Sequence, residues 1–247
     1  MAAMHSRLEL LFVCPDAVKS RHLCEKAEKL VNSESLEFDR HIPDSPTARL
    51  NSSSGRVALG EDLFFALELC EKFRNLTYGY FDVAALSKDK NRPAYELFPE
   101  THEAALAGSG LLLDFGGFAK GFALESVRNL LAGEGITNAL LNFGNSSVVG
   151  MGTHPFGSCW RVRSQEGGHT FELKDSAFSM SGRSRSGKDH IMDPHNSLPA
   201  PAGPWVAVTG RSALLCEILS TAVYAAPIGE RDRIMESFEG YIATYGS

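Results

Sequence analysis

DFGGFAKGFALESVRNLLAGEGITNALLNFGNSSVVGMG, residues 114–152, is the stretch that decides the fold. A Gly-Gly turn opens the stretch, and apolar residues at helical spacing follow it until two further glycines stop the pattern. A short apolar run at 139–143 then turns at Gly144-Asn145 and returns at 148–149, which is typical of a β-hairpin. A helix followed by hairpin-spaced strands indicates an α+β protein rather than a doubly wound parallel sheet.

The rest of the chain extends this pattern on both sides. Residues 61–76 form the clearest amphipathic helix, and 33–54 is polar and proline-containing. We predict further helices at 15–31, 100–107 and 212–224, and strands at 7–14, 36–41, 111–113, 139–143, 147–152, 159–164, 169–173, 177–181, 205–209 and 241–245. These runs predict mixed or antiparallel sheets with helices, and residues 42–54 and 88–99 are expected to be irregular.

Composition excludes several classes of protein. The net charge of −6 argues against a nucleic-acid partner, since phosphate neutralisation needs a basic face. Because no run approaches eighteen apolar residues, we expect no transmembrane segment. The five cysteines lack C-x-x-C spacing and have apolar neighbours, which predicts buried free thiols. Compartment is open: cytoplasmic as given, periplasmic or a membrane-anchored lipoprotein if a leader was removed.

The Gly-Gly turn has the composition of a phosphate site. Asp114 and Lys120 flank Gly116 and Gly117 at the start of the predicted helix. Backbone donors and positive dipole at a helix N-terminus favour an anion, and glycine lets it approach the backbone closely. The alternatives that need no ligand are that Asp114 caps the helix and that Lys120 is a solvated surface residue.

Glu217 and Thr221 are four residues apart on the last predicted helix, so their side chains share one face. A carboxylate and a hydroxyl in this arrangement suit Mg²⁺, which prefers oxygen ligands. The alternative for Glu217 is an ordinary exposed glutamate.

Five ordered blocks of the sequence resemble the ApbE family, the FAD:protein FMN transferases. Residues 114–123 resemble that family's D-x-G-G-x-A-K-G-x-A, and FDRHIPDSPTARLN (38–51) resembles F-S-x-Y-x-P-x-S-x-x-x-x-x-N. TYGYFD (77–82), HIMDP (190–194) and EILSTAVYAA (217–226) resemble T-x-G-x-F-D, H-I-x-D-P and D-A-L-S-T-A-x-x-x-x.

The resemblance implies a single domain over 1–247, with two intertwined lobes of T-fold-related architecture and an FAD site between them around 114–120. It implies Mg²⁺-dependent transfer of FMN from FAD to a Thr or Ser hydroxyl of an acceptor flavoprotein, with release of AMP. His190 is then the candidate acid/base, and Gly117 (through its carbonyl), Glu217 and Thr221 are the candidate metal ligands. Candidate FAD contacts are Met4, His41, Tyr80, Phe81, Asp82, Asp114, Lys120, Ile191 and Ser220.

Several positions depart from the family pattern. Glu217 replaces the family's metal-binding aspartate, His41 replaces a flavin-stacking tyrosine, and SGRSRSG (181–187) lacks a tyrosine that usually follows its S-G-x. Two other functions therefore stay open: FAD binding without transfer, and FAD pyrophosphatase activity in which water is the acceptor. A structural role for His190 also stays open, as does the oligomeric state.

Overall fold

The structure, a computed structural model, describes residues 1–90, 92–164, 168–182, 191–200 and 203–246. Across these residues lie helices α1 to α6 and strands β1 to β12. The helices are α1 (Ala17–Phe38), α2 (Pro46–Ser52), α3 (Glu61–Leu76), α4 (Ala119–Gly133), α5 (Ala213–Ala225) and α6 (Ile228–Glu236). The strands are β1 (Ala2–Ala3), β2 (Ser6–Phe12), β3 (Val57–Ala58), β4 (Tyr95–Phe98), β5 (Glu103–Leu106), β6 (Ala139–Phe143), β7 (Ser147–Met151), β8 (Trp160–Arg163), β9 (Thr170–Leu173), β10 (Ser176–Gly182), β11 (Trp205–Gly210) and β12 (Ile242–Tyr245).

A seven-stranded sheet in the order β1-β2-β6-β7-β10-β11-β12 organises the molecule. Neighbouring strands in it are antiparallel, which confirms the predicted α+β class. A three-stranded sheet (β3-β5-β4) and the β8–β9 hairpin stand apart from it. Strands β6 and β7 are joined by a short turn and pair with each other, which confirms the predicted 139–149 hairpin. The hairpin lies inside the large sheet.

Both faces of the large sheet are covered over its central strands, β7, β10 and β11. Helix α5 packs on β10 and β11, and α4 lies between α1 and α5. On the opposite face the β8–β9 hairpin closes a smaller core that includes Trp160, Phe171, Phe178 and Trp205. Alternate residues of a strand point to opposite faces, so with both faces covered β7 is buried throughout, and four residues in each of β10 and β11 are buried.

The predicted strand at 36–41 is wrong, because α1 continues to Phe38. Its buried positions include Ala27, Val31, Glu34 and Phe38, which keep helical spacing to the end of the helix. Glutamate at one of these core-facing positions interrupts the apolar pattern, and the sequence therefore looked polar from residue 33 onward.

Other local predictions are also wrong. Residues 95–98, which we expected to be irregular, form strand β4. Residues 103–106 form strand β5 instead of part of a helix, because β5 pairs with β4 on one side and β3 on the other. Residues 46–52 form α2 instead of a loop: Ser45 Oγ accepts the Ala48 N–H (3.0 Å) and Pro46 begins the helix.

Two cysteines, Cys70 and Cys216, are buried as predicted. Cys24 is exposed on the solvent side of α1, and Cys14 and Cys159 are half-buried, so the prediction fails for these three. Over the described ranges, no helix combines the length and apolarity needed to cross a membrane.

Candidate functional site

A cleft of about 1080 Å³ opens beside the Gly-Gly turn. Segments from most of the chain line it: the β1–β2 turn, the end of α1, residues 80–86, the turn into α4, the β6–β7 turn, the end of β10, residues 191–194, and α5. A side pocket of about 170 Å³ adjoins it and shares His5, Arg40, His41, Asp114 and Lys120 among its walls.

The Asp114 carboxylate is held in place by two neighbours. Its Oδ1 accepts the Gly116 N–H at 2.8 Å, and its Oδ2 accepts Arg40 Nε at 2.5 Å. The preceding residue, Leu113, exchanges both backbone hydrogen bonds with the side-chain amide of Asn51 (2.7 and 2.9 Å). Asn51 therefore takes the place of a β-neighbour, and 111–113 does not form the strand we predicted. Asp114 folds the turn and does not cap α4, whose N-cap is Phe118.

Glu217 lies at the floor of the cleft, on the face of α5 that meets the sheet. Its Oε2 accepts hydrogen bonds from Ser179 Oγ, at 2.7 Å, and from Ser147 Oγ. The register places Ser147 directly opposite Ser179 on neighbouring strands, so both hydroxyls reach the same oxygen. Only 5% of the Glu217 side chain is exposed, so the alternative that it is an ordinary solvated glutamate is wrong.

Lys120 completes the environment of Glu217. Its ammonium donates to Glu217 Oε1, and only 19% of the lysine side chain is exposed. Lys120 is therefore a partly buried member of an ion pair in the cleft wall and not a solvated surface residue.

The oxygen atoms around Glu217 suit Mg²⁺ chemically. Gly117 packs so closely on Thr221 that a Cβ at Gly117 would lie 2.8 Å from Thr221 Oγ1. Gly117, Glu217 and Thr221 all line the cleft, and carboxylate, hydroxyl and carbonyl oxygens are the ligands a hard cation prefers. Among the residues that the structure describes, no three His, Cys, Asp or Glu side chains gather, so backbone and hydroxyl oxygens would have to contribute.

The opposite wall is built from the TYGYFD block. Thr77 Oγ1 accepts the Phe81 N–H (3.1 Å) and donates to the Phe73 carbonyl (2.7 Å), which closes the loop behind α3. Tyr80 lines the cleft, and its ring lies 4.4 Å from the His195 ring, centroid to centroid. Burial and the nearby Glu230 and Asp193 raise the pKa of the Tyr80 phenol.

The sequence model of the ApbE family matches residues 4–245. The chain belongs to the ApbE family. No curated protein matches the sequence.

Solved ApbE structures share the fold. The flavin transferase ApbE from Vibrio cholerae superposes with a TM-score of 0.82 at 17% identity, covering 100% of this chain and 96% of that one. The ApbE protein of Thermotoga maritima gives 0.85 at 18% identity, covering 98% and 91%. The Pseudomonas stutzeri flavinyl transferase ApbE gives 0.81 at 18%, covering 97% and 94%.

Most of the residues that the ApbE resemblance suggested converge on the cleft. Its lining includes His41, Tyr80, Asp82, Asp114, Gly117, Lys120, Ile191, Glu217 and Thr221. Met4 lines the side pocket, whereas Phe81 and Ser220 are buried and absent from both linings. Asp82 is also engaged, since Arg92 Nε donates to its Oδ2 at 2.6 Å. His190 and residues 183–189 lie outside the described residues.

Sequence reasoning missed some of the residues that hold this candidate site together. Ser147 begins β7 and Ser179 lies at the middle of β10, and both are buried, where a hydroxyl needs a hydrogen-bond partner. Arg40 stands inside the 38–51 block, but its partner Asp114 is 74 positions away, and spacing alone does not pair them.

Proposed function

We propose that this protein transfers FMN from FAD to a Thr or Ser hydroxyl of an acceptor flavoprotein and releases AMP. One observation carries the proposal: segments that match the family's separate motifs come together around a single large cleft. At about 1080 Å³ the cleft is slightly larger than the roughly 300–1,000 Å³ that small-molecule and cofactor sites occupy, which suits a dinucleotide.

The proposed pose follows the charges and aromatic side chains of the lining. The FAD pyrophosphate lies near the Gly116-Gly117 turn and the N-terminus of α4, where the helix dipole and Lys120 favour an anion. Met4, His41 and Asp114 form the flavin side, and the 80–82 wall with Ile191 forms the adenosine side, with Phe81 and Ser220 supporting the lining from behind.

In the proposed reaction the acceptor hydroxyl attacks the phosphorus on the FMN side of the pyrophosphate. The bond from that phosphorus to the bridging oxygen breaks, and the oxygen leaves with AMP. The hydroxyl proton passes to a base, for which His190 is the candidate because an imidazole titrates near neutral pH. FMN stays on the acceptor as a phosphoester.

Mg²⁺ belongs to the proposal as a cofactor held by Glu217, Thr221 and the Gly117 carbonyl. When bound it would offset negative charge on the phosphates as the bond breaks. The chain's own residues supply the rest: the two serines hold Glu217 in position, and Arg40 holds Asp114.

The test is release of AMP from FAD by the full chain, with Mg²⁺ or with EDTA. The acceptor is a peptide carrying the family's usual Asp-Gly-x-Thr/Ser-Ala/Gly-Thr/Ser pattern, and the matched control peptide replaces the acceptor residue with Val or Ala. We expect AMP and flavinylated peptide in equal amounts, and neither with EDTA; His190→Ala abolishes both in the presence of Mg²⁺.

The other outcomes separate the alternatives. AMP and free FMN without labelled peptide would make the protein a pyrophosphatase. Tight FAD binding without AMP would make it a flavin-binding protein, and the proposed transfer would then be wrong.

A further inference from the structure

We propose that Lys120 and a divalent cation exchange on Glu217: the lysine ammonium holds the carboxylate in the cation-free protein, and the cation displaces it. The inference deepens the proposed function, because it rests on the Mg²⁺ site suggested for Gly117, Glu217 and Thr221. It adds a role for Lys120, which competes with the metal for Glu217 and, once displaced, moves toward the ligand phosphates.

The first step concerns the oxygens of Glu217. Ser147 and Ser179 both donate to Oε2, and all three groups are buried. Lys120 donates to Oε1. Oε2 already accepts two hydrogen bonds, whereas Oε1 accepts one, so a cation would reach Glu217 through Oε1, the oxygen that Lys120 contacts.

The second step decides which donor leaves. The serines are fixed on neighbouring strands under the sheet's helical cover, and they also contact each other at 3.3 Å. Lys120 stands on a flexible side chain in the first turn of α4 and borders the open cleft. Because an ammonium and a divalent cation at one oxygen repel each other, binding of the cation expels Lys120 toward the cleft.

The third step is the consequence for the ligand. A lysine released into the cleft is a mobile positive charge beside the N-terminus of α4. In this order the metal takes over neutralisation of Glu217, and the lysine becomes available to a phosphate. Cation binding and phosphate recognition are thereby coupled through one side chain.

The experiment measures binding of Mn²⁺, as a stand-in for Mg²⁺, to the full chain without FAD, by electron paramagnetic resonance of free Mn²⁺. Lys120→Met removes the competing charge but keeps the length of the side chain. Lys26→Met is the matched control, because this substitution removes the same net charge. Lys26 lies outside the cleft and pairs with Glu134 Oε1 at 2.6 Å. We expect Lys120→Met to lower the Mn²⁺ dissociation constant about tenfold or more. In the unaltered protein Lys120 occupies Glu217 most of the time, and the apparent Mn²⁺ affinity is reduced by the small fraction of molecules in which Glu217 is free. Lys26→Met should leave it unchanged.

A second measurement uses the unaltered sequence and does not depend on how the variant folds. Amine acetylation followed by mass spectrometry reports how accessible each lysine is. We expect saturating Mg²⁺ to raise the acetylation rate of Lys120 severalfold and to leave that of Lys26 unchanged.

The proposal is overturned if Lys120→Met binds Mn²⁺ no more tightly than the unaltered protein, or if Mg²⁺ does not change Lys120 acetylation. Neither measurement involves FAD or acceptor. If both measurements give the expected result but the protein releases no AMP, only the transfer reaction is refuted. If the protein transfers FMN but neither measurement gives the expected result, only the exchange is refuted.

Discussion

At the scale of single residues, Glu217 connects the sheet, α4 and the cleft through three donors. Glu217→Gln removes the anion that Lys120 and both serines contact. We expect the free energy of unfolding to fall by about 1–3 kcal/mol, the usual cost of leaving a buried polar partner unsatisfied. We expect Mg²⁺-dependent AMP release to be lost as well.

The measurement is urea unfolding alongside the AMP assay. Glu134→Gln is the matched control, since Glu134 also pairs with a lysine but the two side chains of that pair are 41% and 33% exposed, far more than those of Lys120 and Glu217. Exposed pairs contribute little to stability, so the control should unfold at the same urea concentration as the unaltered protein. Equal effects of the two substitutions would contradict the special position of Glu217.

Glu34 should make stability depend on pH. It is 1% exposed, its Oε2 has no hydrogen-bond partner among the described residues, and burial raises its pKa from 4.5 to about 7. A hydrogen bond from Ser126 opposes the shift and the charge of Asp62 adds to it. Because the folded-state pKa is the higher one, the stabilising contribution is complete below about pH 4.5 and is lost as the pH rises toward 7.

Glu34→Gln stays neutral at every pH. We therefore expect the variant to match the unaltered protein in acid and to exceed its free energy of unfolding by up to about 3 kcal/mol above pH 7. Urea unfolding at several pH values checks this. A difference between the two proteins that does not change with pH would contradict the raised pKa.

At the scale of elements, the crossing of α4 and α5 sets the geometry of the floor of the cleft. A Cβ at Gly121 would lie 2.7 Å from Glu217 Cβ and 2.8 Å from the Ala213 carbonyl oxygen. Gly121→Ala must push the two helices apart, and we expect it to lower the free energy of unfolding by about 1–3 kcal/mol and to weaken Mn²⁺ binding.

Gly133→Ala is the matched control on the same helix, because a Cβ there meets nothing within 4 Å. Alanine favours a helix over glycine by up to about 1 kcal/mol, so this change should stabilise slightly or leave stability unchanged. Thermal unfolding of both variants gives the comparison. If Gly121→Ala were as stable as Gly133→Ala, the helices would not be packed as closely as the structure has them.

Elements with strong local signals could be predicted from the sequence, whereas elements that depend on distant partners could not. Helix α3 and the strands from 139 onward carry clear periodicity and turn residues, and the structure confirms them. Strand β5 has helix-compatible residues and is a strand only because β3 and β4 flank it. The last turns of α1 were hidden by the buried Glu34, whose carboxylate interrupts the apolar pattern.

At the scale of the whole molecule, the candidate site is an assembly of distant segments. Lys120 and Glu217 are 97 positions apart, and no spacing rule pairs residues so far separated. The motif blocks pointed to the segments, and the fold brings them together. Which donors hold which carboxylate depended on strand register, as in the pairing of Ser147 with Ser179.

Because the cleft is lined by residues from His5 to Thr221, FAD should stabilise the molecule as a whole and not one part of it. A ligand at a hundred times its dissociation constant adds about 2.7 kcal/mol. For a domain of this size each kcal/mol raises Tm by about 2–4 °C, so we expect a single unfolding transition shifted upward by roughly 5–10 °C.

AMP or FMN alone contacts only part of the lining and should shift Tm less than FAD at the same multiple of the FAD dissociation constant. Calorimetry with the three ligands distinguishes these cases: equal shifts with AMP and FAD would mean that the cleft binds only the adenosine half.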